Sequence, residues 1–157
     1  MKLPCIIDTS SLIDAANQYN ISKKSFVHVW SKFDEWIEDG KLISSVAVKD
    51  ELTSKDLEDF LKWARKHKEF FYPLTKEVQE KTTEVLAKYP NLIKIRGTGN
   101  SNADPFLVAT ALLRSGTIVT QEKREKNSKK ICKIPNVCDG FGIPCIKLQD
   151  FLDEILE

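Results

Sequence analysis

The chain has 157 residues, a net charge of +1, 41% hydrophobic residues and 30% charged residues. That length suits one domain with a full core, and that composition excludes a disordered chain. The near-neutral balance also excludes a general attraction to polyanions, so any such attraction must come from a local cluster of charge.

The first segment, "KLPCIID" (2–8), reads as a buried strand ending at Asp8. Thr9, Ser10 and Ser11 follow, and apolar residues resume at Leu12 and Ile13. The polar cluster cuts the apolar stretch too short for a signal peptide. No later run approaches the roughly 18 apolar residues of a membrane span, so a cytoplasmic chain with no membrane partner is expected. Next, "KSFVHVWSKFDEWIEDG" (24–40) places Phe26, Val29, Trp30, Phe33, Trp36 and Ile37 at helical spacing, with Gly40 as the stop. "KLISSV" (41–46) is a short strand, and a helix follows it with Ser44 or Ser45 as its cap.

"SKDLEDFLKWARKH" (54–67) is a helix with Leu57, Phe60, Leu61 and Ala64 on one face. "TKEVQEKTTEVLAKYP" (75–90) is another, capped by Thr75 and ended by Pro90, with Val78, Val85, Leu86 and Tyr89 inward. "NADPFLVATALLRSG" (102–116) is the best marked. Asp104 is its expected N-cap, Pro105 its first helical residue, and Gly116 lies just past its end. "TIVT" (117–120) and "IPCIKL" (143–148) read as strands, and "QDFLDEILE" (149–157) as a closing helix.

Strands alternate with helices, which predicts an α/β fold: a mostly parallel central sheet with helices on both faces, three layers in all. The chain shows no internal repeat or linker, so residues 1–157 form a single predicted domain. The four cysteines, Cys5, Cys132, Cys138 and Cys145, contain no C-x-x-C pair, which argues against zinc. Cys5 and Cys145 lie in apolar strand-like runs and read as core thiols.

Ligands of open parallel sheets bind beyond the carboxyl ends of the strands. Asp8 lies at such an end, and Glu122 just past the end of "TIVT". A right-handed connection brings Asp104 to the same edge, and Glu51 sits about two turns into the helix after "KLISSV". Four carboxylates gathered there repel one another and raise some of their own pKa values. A hard divalent cation, Mg²⁺ or Mn²⁺, relieves that repulsion. Such ions also activate water and neutralise charge developing at a phosphodiester. Each acid has a plainer reading beside this one. Asp8 and Asp104 are good helix caps, and most glutamates are simply surface residues.

A second cluster lies in "QEKREKNSKKICK" (121–133), where six cations stand against two anions. It reads either as a solvated loop or as a strip for phosphates, with Lys123, Arg124, Lys126, Lys129 and Lys130 as the contacts. Two motifs mislead. "GTGNSN" imitates a dinucleotide loop, but Asn102 stands where the third glycine belongs. "DTSSL" is similar to the aspartyl turn of haloacid-dehalogenase phosphotransferases, but Ser10 replaces their second Asp.

Taken in order, "IIDTSSLI", "KDEL", "ADPFLVATAL" and "TIVTQE" resemble the PIN-domain nucleases across essentially the whole chain. "KIPNVCDGFGIPCIKLQDFL" looks like a bacterial and archaeal PIN-like subfamily catalogued as a domain of unknown function. The resemblance implies a PIN-like fold and a metal-dependent endoribonuclease of the VapC toxin type. It implies Asp8, Glu51, Asp104 and Glu122 as catalytic metal ligands, supported by Thr9, Ser10 and Thr120, with RNA as substrate. A cognate antitoxin partner rests on the resemblance alone. So does a homodimer, to which Trp30, Trp36 and Trp63 would offer an apolar face if they were not core. Where this family usually has T-x-D, Thr120-Gln121-Glu122 supplies a glutamate, one methylene longer.

Overall fold

The computed structural model describes residues 1–53, 55–92, 102–126 and 132–157. The predicted α/β architecture is present: a five-stranded, wholly parallel sheet flanked by eight α-helices among the described residues. The strands are β1 (Cys5–Ile7), β2 (Leu42–Ser45), β3 (Phe71–Tyr72), β4 (Thr117–Val119) and β5 (Cys145–Ile146), ordered β3-β2-β1-β4-β5. The helices are α1 (Thr9–Gln18), α2 (Val27–Glu38), α3 (Val46–Glu51), α4 (Glu58–Lys66), α5 (Lys76–Lys88), α6 (Asp104–Arg114), α7 (Ile134–Phe141) and α8 (Leu148–Ile155).

The chain leaves β1 toward β2 and β3, then crosses back to β4 and continues to β5. The direction of winding therefore reverses between β1 and β4. Such a reversal opens a crevice at the carboxyl ends of the two strands, the usual ligand position in an open α/β sheet. β1 pairs Ile7 with Val119 of β4, so the two strands end level with each other. Asp8 and Thr120 are the next residues on each.

β1 is central and wholly buried, as an apolar run between two helical layers requires. α6 packs across β1, β2 and β4, with α5 against it, and α2 with α8 covers the sheet elsewhere. Trp30 and Trp63 are buried in one aromatic cluster with Phe33, Phe60 and Phe70. Trp36 is partly buried against Phe151 of α8. The three tryptophans thus serve the core. Among the described residues no helix is long and apolar enough to cross a membrane.

Local chemistry differs from the expectations at several points. Ser45, not Ser44, caps α3 by accepting from the Ala47 amide; the Ser44 hydroxyl instead donates to the Ile7 carbonyl on β1. Asp104 is the first residue of α6, with Ala103 at its N-cap, so Pro105 is the second helical residue. The left-handed C-cap of α6 is Ser115 (φ 53°) rather than Gly116. Gly116 is needed for another reason. A Cβ there would stand 2.2 Å from the Pro4 carbonyl oxygen and 2.5 Å from Ile6 Cδ1. α4 starts at Glu58, later than its sequence pattern. β3 and α7 were not foreseen. Cys5 is fully buried, and burial pushes its thiol up to about 12. Cys145 is only half-buried.

Candidate functional site

Asp8 leaves the end of β1 as the N-cap of α1. Its backbone amide donates to the Val119 carbonyl of β4 at 3.1 Å, which prolongs the strand pairing by one residue. The carboxylate is almost entirely buried, at 3% exposure. Its Oδ1 accepts from the Ser11 amide at 2.8 Å and from the Ser10 hydroxyl at 3.1 Å. Its Oδ2 accepts from the buried Thr120 hydroxyl beyond β4. Burial still outweighs these donors and raises the Asp8 carboxyl above its ordinary pKa. Among the described residues Asp8 is in no ion pair.

Glu122 reaches the site two residues past Thr120, whose hydroxyl also accepts from the Glu122 amide at 3.1 Å. Its side chain turns to the start of α7, where Oε2 accepts from the Ile134 amide at 2.8 Å. That places an anion at the positive end of a helix. Burial first, and then the charge of Asp8, raise the Glu122 carboxyl; the Ile134 amide and Lys133 oppose the shift.

Glu51 ends α3 and ties two elements together. Oε2 accepts from the Thr9 hydroxyl of α1 at 2.8 Å, and Oε1 from the Ala103 amide at the start of α6 at 2.8 Å. Asp104, 2% exposed, is the next residue. Asp8 and Glu122 feel each other electrostatically, and Cys132 feels both Glu122 and Asp104. The fold therefore brings all four predicted acids to one edge of the sheet. Ser10 supports Asp8 as expected, whereas Thr9 serves Glu51. Thr120 serves both Asp8 and Glu122.

The donor set is hard oxygen throughout, and a buried carboxylate with a raised pKa is stabilised by a cation, so the residues fit Mg²⁺ or Mn²⁺. As they stand, however, no three His, Cys, Asp or Glu side chains among the described residues are grouped to hold a metal.

The basic strip is changed more. Arg124 forms a two-pronged ion pair with Asp139 of α7, at 2.7 and 2.8 Å, which holds the Asp139 carboxyl below its ordinary range. The pair lies on the surface, and the Arg124 side chain remains 55% exposed. Lys123 and Lys126 are exposed, while Lys129 and Lys130 lie outside the described residues.

Four contributors went unforeseen: the amides of Ser11, Ala103 and Ile134, and Cys132. Backbone amides carry no residue signature. The start of α7 did carry one, since Pro135 falls in its first turn and Gly142 (φ 69°) closes its end.

A model of a protein family described as "Domain of unknown function (DUF4411)" matches residues 5–155, and the chain belongs to that family. No curated protein matches the sequence.

Proposed function

We propose that this member of the family is a PIN-like, metal-dependent endoribonuclease, the toxin of a VapBC-like toxin–antitoxin pair. The observation that carries the reading is the convergence of Asp8, Glu51, Asp104 and Glu122 at the reversal between β1 and β4, with Asp8 buried beside Glu122. A protein gains no stability from adjacent buried carboxylates, so a ligand that rewards them is the economical explanation.

Asp8, Glu51 and Asp104 would hold Mg²⁺ or Mn²⁺, and Glu122 would complete or order the shell. Such an ion supplies charge neutralisation at the phosphodiester and lowers the pKa of a water. Ser10, Ser11 and Thr120 fix the orientation of Asp8 through three donors. Thr9 and the Ala103 amide do the same for Glu51. These supports hold the acids in place before the substrate arrives, the condition for electrostatic stabilisation without reorganisation. Lys123 and Lys126, exposed past Glu122, would meet the RNA backbone.

The test is Asp104→Asn incubated with Mn²⁺ and structured RNA, with a DNA panel in parallel. Loss of RNA cleavage is expected. Unchanged cleavage overturns the role of Asp104, and preferential cleavage of DNA overturns the substrate.

A second reading, a non-catalytic module that binds RNA or protein, is favoured by one observation: Glu51 and Glu122 already bond amides at helix starts, and no ligand group is assembled among the described residues. Titration with Mg²⁺ separates the two. A metal site adds about 2.7 kcal/mol of stability at a hundredfold excess over Kd and so raises the melting temperature; a module without one gives no shift. The antitoxin and the homodimer are tested by the neighbouring reading frame and by the mass of the protein in solution.

A further inference from the structure

The expected phosphate strip follows Glu122, and there Arg124 is paired with Asp139. Another pair of cations stands by α3. Lys49 of α3 and Arg65 of α4 line a cleft of about 80 Å³ with an apolar floor of Leu52, Leu61 and Ala64. Neither cation is in an ion pair among the described residues. The Lys49 ammonium lies 5.9 Å from the centre of the Phe71 ring, so its stem is directed along β3 rather than left loose in solvent. Arg65 occupies the last turn of α4, where the helix dipole favours a cation.

Two features relate this cleft to the carboxylates. Lys49 precedes Glu51 by two residues on the same short helix, so the two side chains leave α3 on opposite sides. The cleft is thus outside the acidic site, on the other side of α3 from Glu51. A strand whose reacting phosphate sits at the acids therefore meets the cleft with a different phosphate, further along its backbone. The apolar floor matters as well. A cleft lined by one sign of charge over low-dielectric walls concentrates the field on an incoming anion.

We propose that the Lys49–Arg65 cleft holds a backbone phosphate of the RNA strand further along from the phosphodiester that is cleaved. The proposal rests on the nuclease reading and assigns it a substrate-positioning site. Its apolar floor suits the sugar that follows the phosphate. An acidic peptide, such as a partner protein would present, is the competing occupant.

The experiment measures binding of a fluorescein-labelled single-stranded oligouridylate to the whole chain in EDTA, as a function of salt. In EDTA no turnover obscures the affinity. Lys49→Ala with Arg65→Ala is compared with the unmodified protein after circular dichroism has shown both folded. The double variant is expected to bind about fivefold more weakly at low salt. Its plot of log K against log salt is expected to be shallower by about 0.7, the contribution of one phosphate on a single strand. Equal affinity and slope overturn the proposal; if the unmodified protein then cleaves RNA and Asp104→Asn does not, the nuclease reading stands without it. Weakened binding with no cleavage under any metal supports the cleft and overturns the nuclease. Cleft-dependent binding of a polyglutamate peptide in place of RNA overturns the phosphate assignment.

Discussion

Replacing Thr120 by valine tests how the acidic site is held. Valine keeps the shape of threonine and removes only the hydroxyl. That hydroxyl donates to Asp8 Oδ2 and accepts from the Glu122 amide, and Thr120 is 1% exposed. A hydrogen bond to a charged group contributes about 1.5–3 kcal/mol, and a partly buried amide left without an acceptor costs about 1 kcal/mol more. The loss at neutral pH is therefore about 2–4 kcal/mol, roughly 5–15 °C in melting temperature for a chain of this size. The pH dependence makes the test specific. The Thr120 donor favours ionised Asp8, so removing it raises a carboxyl that burial has already raised. The gap between the two proteins should widen as pH rises through the folded pKa of Asp8 and narrow in acid, where Asp8 is protonated in both. Calorimetric melting in EDTA at acidic and mildly basic pH measures this. Thr120→Ser, which keeps the hydroxyl, should recover most of the loss. A valine variant as stable as the parent at basic pH, or a serine variant as damaged as the valine one, refutes the reasoning.

Without divalent metal, stability should fall as pH rises from the ordinary carboxylate range through the folded values of Asp8 and Glu122. Both carboxyls are raised, so the folded state holds more protons than the unfolded one across that window. Asp8→Asn should flatten the slope, and an unchanged slope in melting curves refutes the assignment. At lower pH Asp139, held down by Arg124, acts in the opposite direction, since its contribution is lost as it protonates. Ser45→Ala removes the cap of α3 and should cost about 1 kcal/mol. Because α3 carries Glu51, the variant should also need more Mg²⁺ for the same thermal shift, and an unchanged midpoint in that titration counts against Glu51 as a ligand. Gly116→Ala drives a Cβ into backbone at Pro4 and should cost about 1–3 kcal/mol, whereas Gly140→Ala meets only the movable end of the Tyr89 ring. Equal losses in urea unfolding contradict this difference.

Apolar periodicity made α2, α4, α5 and α6 legible in the sequence, and β-branched runs did the same for β1 and β4. Those signals come from burial, which every core residue reports. β3 is two residues long and takes its pairing from β2, so "FFY" carries too little pattern to mark it. α7 is eight residues, preceded by a charged run that reads as loop, and only Pro135 and Gly142 announce it. Asp8, Asp104 and Glu122 were legible because they lie beside a strand end or a helix start. Their partners were not, for a different reason. Arg124 reads as a free cation until Asp139, fifteen positions later, comes within ion-pair distance. Thr9 and Ser10 are adjacent hydroxyls, and only the path of α1 decides that one faces Glu51 and the other Asp8.

At this edge, capping and binding are the same arrangement. Asp8 accepts from an amide of α1, Glu51 from the N-cap amide of α6, and Glu122 from the first amide of α7. Three helix N-termini thus direct partial positive charge at three carboxylates, which is how acids can gather there before any cation arrives. Each carboxylate oxygen has two lone pairs, and an amide occupies one. A second lone pair lets an oxygen keep its amide and take a further partner, so a helix contact and a ligand role are compatible for Glu122. The amide contact also limits how far the side chain can stray. The longer arm of Glu122 then has a physical use. An aspartate at that position would have to choose between α7 and the crevice, whereas a glutamate spans from β4 to the start of α7 while remaining within the field of Asp8.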